Sequence, residues 1–342
     1  MALRISHQFF EAPPCDEIAL AAQAREHLTD LSSPPTEAEI LELSQRSSVD
    51  LATRVFFEGI MQSRHGAFLR ELNAYPRDKV KHRSNRVKVL VLPGMFYREH
   101  PEVGADGGLA MEIARRFGFD AQRVELNSTG SVTVNSQILR DRLALETQAD
   151  IWLLSLSKGS SDARHCLQHH PINERIKGWI NVAGIYKGAP MADRKLATPL
   201  RRMAYRLLCA LLGIDYGALT EMRTTHPFWQ QVNWPPRLEM IHIVPVPLSC
   251  HFQGKLRSRH RRLLHRGPND GFVPLSDVLS LPGHIYPIWG SDHFLRTPEL
   301  SPLLYQLFNY IAHQSSSMKG EPHEPLYQDD HRPTGAVGFG AG

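Results

Sequence analysis

From residue 87 to residue 289 the chain repeats one pattern, a short apolar, β-branched run followed by a stretch with helical spacing. Val87–Leu92 is closed by Pro93-Gly94 and reads as a buried strand. A helix follows near Leu109–Phe117 and stops at Gly118. Ala121–Leu126 is a second strand, Val134–Thr147 a helix and Ile151–Leu156 a third strand. Ser160–His169 reads as a helix, and Trp179–Val182, Met240–Val246 and Ile285–Trp289 as further strands. Tyr305–His313 closes the series as a helix. Strands separated by helices must be joined by crossovers, so the spacing predicts an α/β fold with a mainly parallel central sheet flanked by helices.

Three segments stand outside this rhythm. Residues 1–80 read as an N-terminal helical arm. Its first part, 1–47, is expected to be peripheral; Ser32-Ser33-Pro34-Pro35-Thr36 breaks it, and one helix spans 49–74 with Asp50 as a candidate N-cap, ended by Pro76. Residues 186–238 separate two strands by more than one crossover needs and carry the apolar helix Leu196–Leu212, with Arg201, Arg202 and Arg206. This is a cap or lid insertion within a domain spanning 81–314. Its helix is open to three readings: a substrate-covering lid, an interfacial membrane helix or core packing. Residues 315–342, rich in Ser, Gly and Pro, are expected to be a disordered tail.

With 42% apolar and 22% charged residues over 342 positions, the composition is that of a globular protein. No apolar run reaches the ~18–20 residues of a membrane helix. The net charge is only +4, yet 255–266 alone holds Lys255, Arg257, Arg259, Arg261, Arg262 and Arg266, so the rest is net negative. Composition therefore argues against a nucleic-acid binder and leaves one local basic patch. Lys255–Arg266 is either a solvated face or a dock for an acidic carrier protein, coenzyme A, an anionic lipid surface or a polynucleotide. Cys15, Cys166, Cys209 and Cys250 are scattered and form no disulfide framework. The N-terminus lacks a signal-peptide core. Both point to a cytoplasmic protein.

The sharpest chemical signal is Ser155-Leu156-Ser157-Lys158-Gly159, directly after a strand and before a helix. A nucleophile held on so tight a strand-to-helix turn needs small residues two before and two after it, and Ser155 and Gly159 qualify. The motif departs from G-x-S-x-G in having Ser first. Asp270 lies in the tight loop Gly267–Pro274, and His293 follows the last strand in Gly290-Ser291-Asp292-His293-Phe294. An Asp there can hold an imidazole in one tautomer, and the imidazole can then take a serine proton. Each residue alone has a plainer reading: Ser157 as a helix cap, Asp270 as a turn residue, His293 as one of eighteen histidines. Asp292 and Asp277 are rival acids. It is the joint occurrence, each residue after a strand in the order Ser…Asp…His, that favours a triad.

On these residues the chain resembles the α/β-hydrolase superfamily, its lipase and esterase branch in particular. The resemblance covers roughly 86–313 and rests on the elbow at Ser157, the Asn269-Asp270-Gly271-Phe272-Val273-Pro274 loop, Asp292-His293 and Val91-Leu92-Pro93-Gly94. Gly184-Ile185-Tyr186-Lys187-Gly188-Ala189-Pro190 is similar to the Gly-rich segment after the sixth strand of lipases. Residues 1–80 contribute nothing to it. The resemblance implies Ser157 as nucleophile, His293 as base, Asp270 as its orienting acid, and the backbone N–H groups of Met95 and Lys158 as oxyanion hole. The Lys158 side chain is then expected to point to solvent.

The activity so implied is a serine hydrolase cleaving carboxylic esters of acyl or lipid-like type through an acyl-enzyme, without cofactor or metal. Two alternatives stand beside it. One is a thioesterase, acyltransferase or cyclase acting on a carrier- or coenzyme A-bound acyl group. The other is a non-enzymatic interaction protein on the same fold. His165 and His169, four apart on a helix, have metal-ligand spacing, but no Glu accompanies them and a solvated helix face is the simpler reading.

Overall fold

The computed structural model describes residues 16–28, 33–75, 86–147, 150–169, 174–230, 233–235 and 237–317. Six strands form one sheet: β1 (Val87–Leu92), β2 (Asp120–Arg123), β3 (Asp150–Leu156), β4 (Ile176–Val182), β5 (Glu239–Val246) and β6 (His284–Trp289). Their order is β2-β1-β3-β4-β5-β6, and every neighbouring pair is parallel. The runs of β1, β3, β4 and β5 are buried on both faces, as a parallel sheet requires, whereas the edge strand β2 is partly exposed. Alternation sorts them: Val87, Val89 and Val91 enter one core, Leu90 and Leu92 the other.

Helices cover both faces. In chain order they are α1 (Glu17–His27), α2 (Glu37–Arg46), α3 (Val49–Gln62), α4 (Arg64–Ala74), α5 (Gly108–Arg116), α6 (Val132–Ala144), α7 (Lys158–His169), α8 (Pro190–Lys195), α9 (Pro199–Leu212), α10 (Tyr216–Glu221), α11 (Gly254–Leu263) and α12 (Leu300–Ser317). Phe68, Ile113 and Phe308 bring α4, α5 and α12 onto one face, while Leu139 and Cys166 bring α6 and α7 onto the other.

The N-terminal segment is less peripheral than expected. Ile40, Leu51, Phe56 and Ile60 share a core with Val244, Val246 and Ile285 of β5 and β6. The single helix expected over 49–74 is two. Ser63 is the last cap of α3 and the first cap of α4; its hydroxyl donates to the Ile60 carbonyl at 2.8 Å and accepts from the His65 N–H at 3.3 Å. A serine that bonds backbone on both sides gives the chain a local alternative to a continuous helix.

Between β4 and β5 lie α8, α9 and α10, the insertion expected over 186–238. The Gly184–Pro190 segment leads out of β4 into α8. Helix α12 extends to Ser317, and the remainder of the 315–342 segment lies outside the described residues. Cys166 and Cys209 are free thiols, whereas Cys250 is disulfide-bonded, which departs from the reading of the cysteines as unpaired. Among the described residues no helix is long and apolar enough to cross a membrane.

Candidate active site

Ser157 sits between β3 and α7 with φ +49°, a left-handed conformation that a non-glycine residue rarely adopts. The turn is forced from below. A Cβ on Gly159 would come within 2.6 Å of the Leu92 and Pro93 carbonyl oxygens, so only glycine fits there. On the other flank stands Ser155, fully buried. Its hydroxyl accepts from the Trp179 indole N–H at 2.7 Å and pairs with Ser160 Oγ at 2.9 Å, and Ser160 donates to Asn181 Oδ1 at 2.6 Å. The departure from glycine at this position is thus used: the hydroxyl joins a buried polar chain that ties β3 to β4 and α7.

The structure brings together the three residues that the sequence singles out. Ser157 Oγ lies 2.8 Å from His293 Nε2, and His293 Nδ1 lies 2.6 Å from Asp270 Oδ2. A carboxylate only accepts, so Nδ1 carries the proton and Nε2 is left to accept from the serine. Asp270 and His293 are buried and Ser157 is partly open. Asp270 Oδ1 accepts from the Phe272 and Val273 N–H groups at 2.8 and 2.9 Å, and the Asp270 carbonyl accepts from His293 N–H at 3.1 Å. Asp270 and His293 are therefore each held by further bonds besides the one between their side chains.

The rival acids stand elsewhere. Asp292 Oδ1 accepts from Phe294 N–H at 3.0 Å. Asp277 is buried in the segment after the Asp270 loop, and burial pushes its carboxyl up to about 7.

The sequence reading expects the N–H groups of Met95 and Lys158 beside the serine. Lys158 is the first residue of α7, where an amide has no acceptor within its own helix. In the β1 loop, Gly94 N–H donates to the Ala105 carbonyl and Phe96 N–H to the Ser128 carbonyl. Met95, between them, makes no backbone bond of this kind among the described residues. A Cβ built on Gly94 would lie 3.6 Å from Ser157 Cβ, so this loop passes directly beside the hydroxyl.

The Lys158 side chain does not point to solvent. It is buried, with Nζ 2.6 Å from Asp162 Oδ1 and donating to the Gly130 and Ser131 carbonyls at 2.9 and 3.3 Å. Burial raises the Asp162 carboxyl to about 6, against the pull of Lys158. Four residues apart on α7, the pair faces inward because the first turn of the helix is covered by the 127–131 loop.

Two supports escaped the sequence reading. Phe272 stacks on the His293 ring, centroids 4.2 Å apart, and the Arg259 guanidinium lies 4.4 Å from the Phe272 ring centre on its way out from α11. Behind the Asp270 loop, Asn269 Oδ1 accepts from Gly271 N–H and faces His260 Nδ1, both at 3.1 Å. His260 Nε2 in turn faces Ser249 Oγ at 3.0 Å, and Ser249 donates to Asp50 Oδ1 of α3 at 2.8 Å. The basic patch is therefore two-sided: Leu256, His260 and Leu263 point into the protein at positions i, i+4 and i+7, a spacing visible in the sequence.

His165 and His169 stack on each other, 4.2 Å between centroids. His165 Nδ1 faces Ser136 Oγ and His169 Nδ1 the His165 carbonyl. Among the described residues no group of His, Cys, Asp and Glu is arranged to hold a metal ion.

No protein-family model matches the chain, and no curated protein matches it. Solved structures do. The metagenomic carboxyl esterase MGS0156 superposes with a TM-score of 0.53 at 17% identity, over 68% of this chain and 77% of that one. The mature Bacillus licheniformis lipase BlEst2 gives 0.51 at 22% identity, over 66% of this chain and 96% of that one. The chain has the α/β-hydrolase fold. Within this α/β-hydrolase framework Ser157 occupies the turn after the third strand, and the Asp270 and His293 loops follow the fifth and sixth strands at the same end of the sheet. That is the carboxyl edge, where parallel sheets place their ligands.

Proposed function

We propose that this protein is a serine hydrolase of carboxylic esters acting through an acyl-enzyme. The observation that carries the reading is the continuous line Ser157 Oγ–His293 Nε2, His293 Nδ1–Asp270 Oδ2 at 2.8 and 2.6 Å, built on a strained elbow. Strain at a single serine, with both partners buried, is a cost that helix capping alone does not require.

In the first half-reaction Ser157 Oγ attacks the ester carbonyl carbon as its proton moves to His293 Nε2. The oxyanion is met by the Met95 and Lys158 N–H groups; one such donor is worth on the order of 10²–10³ in rate. Collapse expels the alkoxide, which leaves with the proton from Nε2. Water then attacks the acyl carbonyl, gives its proton to Nε2, and the acid departs as that proton returns to Ser157 Oγ. Asp270 stabilises the imidazolium in both halves.

The esterase and lipase named among the similar structures favour an ester over a peptide substrate. The test is labelling with a fluorophosphonate probe, read by intact mass, on wild type beside Ser157→Ala. One adduct on wild type and none on the variant is expected. Equal labelling of both, or ester turnover unchanged in Ser157→Ala, overturns the assignment.

A further inference from the structure

Six of the eleven large apolar side chains exposed among the described residues lie on one helix, α9: Leu200, Met203, Leu207, Leu208, Leu211 and Leu212. Leu200 and Leu211 are 73% and 75% exposed. Large apolar groups scattered singly need no explanation, but a contiguous band marks a surface that meets something else. From Leu200 the first five follow the offsets 0, +3, +7, +8 and +11, which is a single helical face. Cys209 is the one buried residue of the helix, so the body of the protein lies on the opposite side. The apolar face therefore points to solvent, which core packing does not account for.

Charge decides what this face meets. Arg201 stands on one shoulder of the band and Arg206 on the other, by helical position, whereas Arg202 lies on the side of Cys209 and donates to the Leu196 carbonyl at 2.9 Å. Arg194 and Lys195 precede the helix, and no Asp or Glu lies between Asp193 and Asp215. A second copy of the chain packed on the same face would bring two such cationic margins together. A helix with an apolar crest and arginines on both shoulders has the form of an in-plane interfacial helix, its leucines among acyl chains and its guanidinium groups at the headgroups. The insertion is also anchored beside the site. Asp215 and Glu221 accept from the Ser131 and Thr133 N–H groups, each at 2.9 Å, and the Ser131 carbonyl accepts from Lys158 Nζ.

We infer that α9 docks this protein onto an anionic lipid bilayer. This docking does not rest on the hydrolase reading, because it is read out without turnover. The experiment is co-sedimentation of the full chain with vesicles of phosphatidylcholine alone and of phosphatidylcholine mixed with phosphatidylglycerol. The variants are Leu207→Glu/Leu211→Glu and Arg201→Glu/Arg206→Glu, all at exposed positions. Wild type is expected to sediment with the mixed vesicles and to be released by salt. The arginine variant should bind at least about ten-fold more weakly, since each basic residue near such a surface contributes about 1 kcal/mol. The leucine variant should lose binding altogether, and hydrolysis of a short soluble ester should be unchanged in both. Equal sedimentation of wild type with neutral and anionic vesicles overturns the inference. So does binding unaffected by either variant. Absence of vesicle binding together with a dimer that Leu207→Glu/Leu211→Glu dissolves would assign the face to a second copy instead.

Discussion

Phe272 lies face to face with His293, ring centroids 4.2 Å apart, and is two residues from the Asp270 carboxylate that binds the same imidazole. One short loop thus holds the histidine by its edge and by its flat side. Phe272→Ala keeps the hydrogen bond but frees the ring to tilt. An aromatic pair is worth about 0.5–1.5 kcal/mol beyond burial, so kcat on a soluble ester should fall by roughly ten-fold with little change in KM. A KM-only effect would show that Phe272 contacts substrate instead of steadying His293.

Asp270→Asn leaves the shape of the loop but offers an amide to Nδ1, favouring the wrong imidazole tautomer. Ester turnover should drop by roughly 10²–10⁴. Asp277→Asn and Asp292→Asn should keep near wild-type turnover, because neither side chain meets His293. Steady-state kinetics on the three variants decides the acid, and a larger loss at Asp277 or Asp292 would move the assignment.

Asp277 also makes a stability prediction. Burial raises its carboxyl from an ordinary value near 4 to about 7, so the native state keeps this proton where the unfolded chain has lost it. The group's contribution is fully present at acid pH and is lost as pH rises through about 7. Asp277→Asn removes that dependence. Relative to wild type, the variant should gain stability between about pH 4 and about pH 8, by on the order of 1–3 kcal/mol. Thermal unfolding across that range checks it, and a pH-independent difference would refute it.

Lys158→Met tests the inward pair with Asp162. The methionine fills similar volume but abandons the Asp162 carboxylate and the Gly130 and Ser131 carbonyls in a buried place. Breaking a buried pair by removing one partner costs about 3–5 kcal/mol, so the unfolding midpoint should fall sharply. A solvent-directed Lys158 would tolerate the change with no shift.

Much of this was legible in the chain because it is local. Each β-branched run between turn residues became a strand, and the Ser157, Asp270 and His293 positions follow from what comes directly before them. Strand ends moved by a few residues, as for Ala121–Leu126, realised as Asp120–Arg123. The split of the 49–74 helix at Ser63 turned on two side-chain hydrogen bonds that helical periodicity does not report.

Sequence alone determined the strand–helix alternation that calls for a mainly parallel sheet, and the order of serine, aspartate and histidine along it. Both depend on short-range stereochemistry: apolar periodicity, tight turns, and a glycine where no Cβ fits. Tertiary structure alone decided which way side chains face when packing overrules local character. It buried Lys158 against Asp162, set Asp270 rather than Asp277 or Asp292 against His293, and gave the N-terminal helices a core shared with β5 and β6. It also left the leucines of α9 outside. The physical reason is the same in each case: burial and exposure are properties of the assembled surface, formed by segments far apart in the chain, and Ser157 meets His293 across 136 residues only once that surface exists.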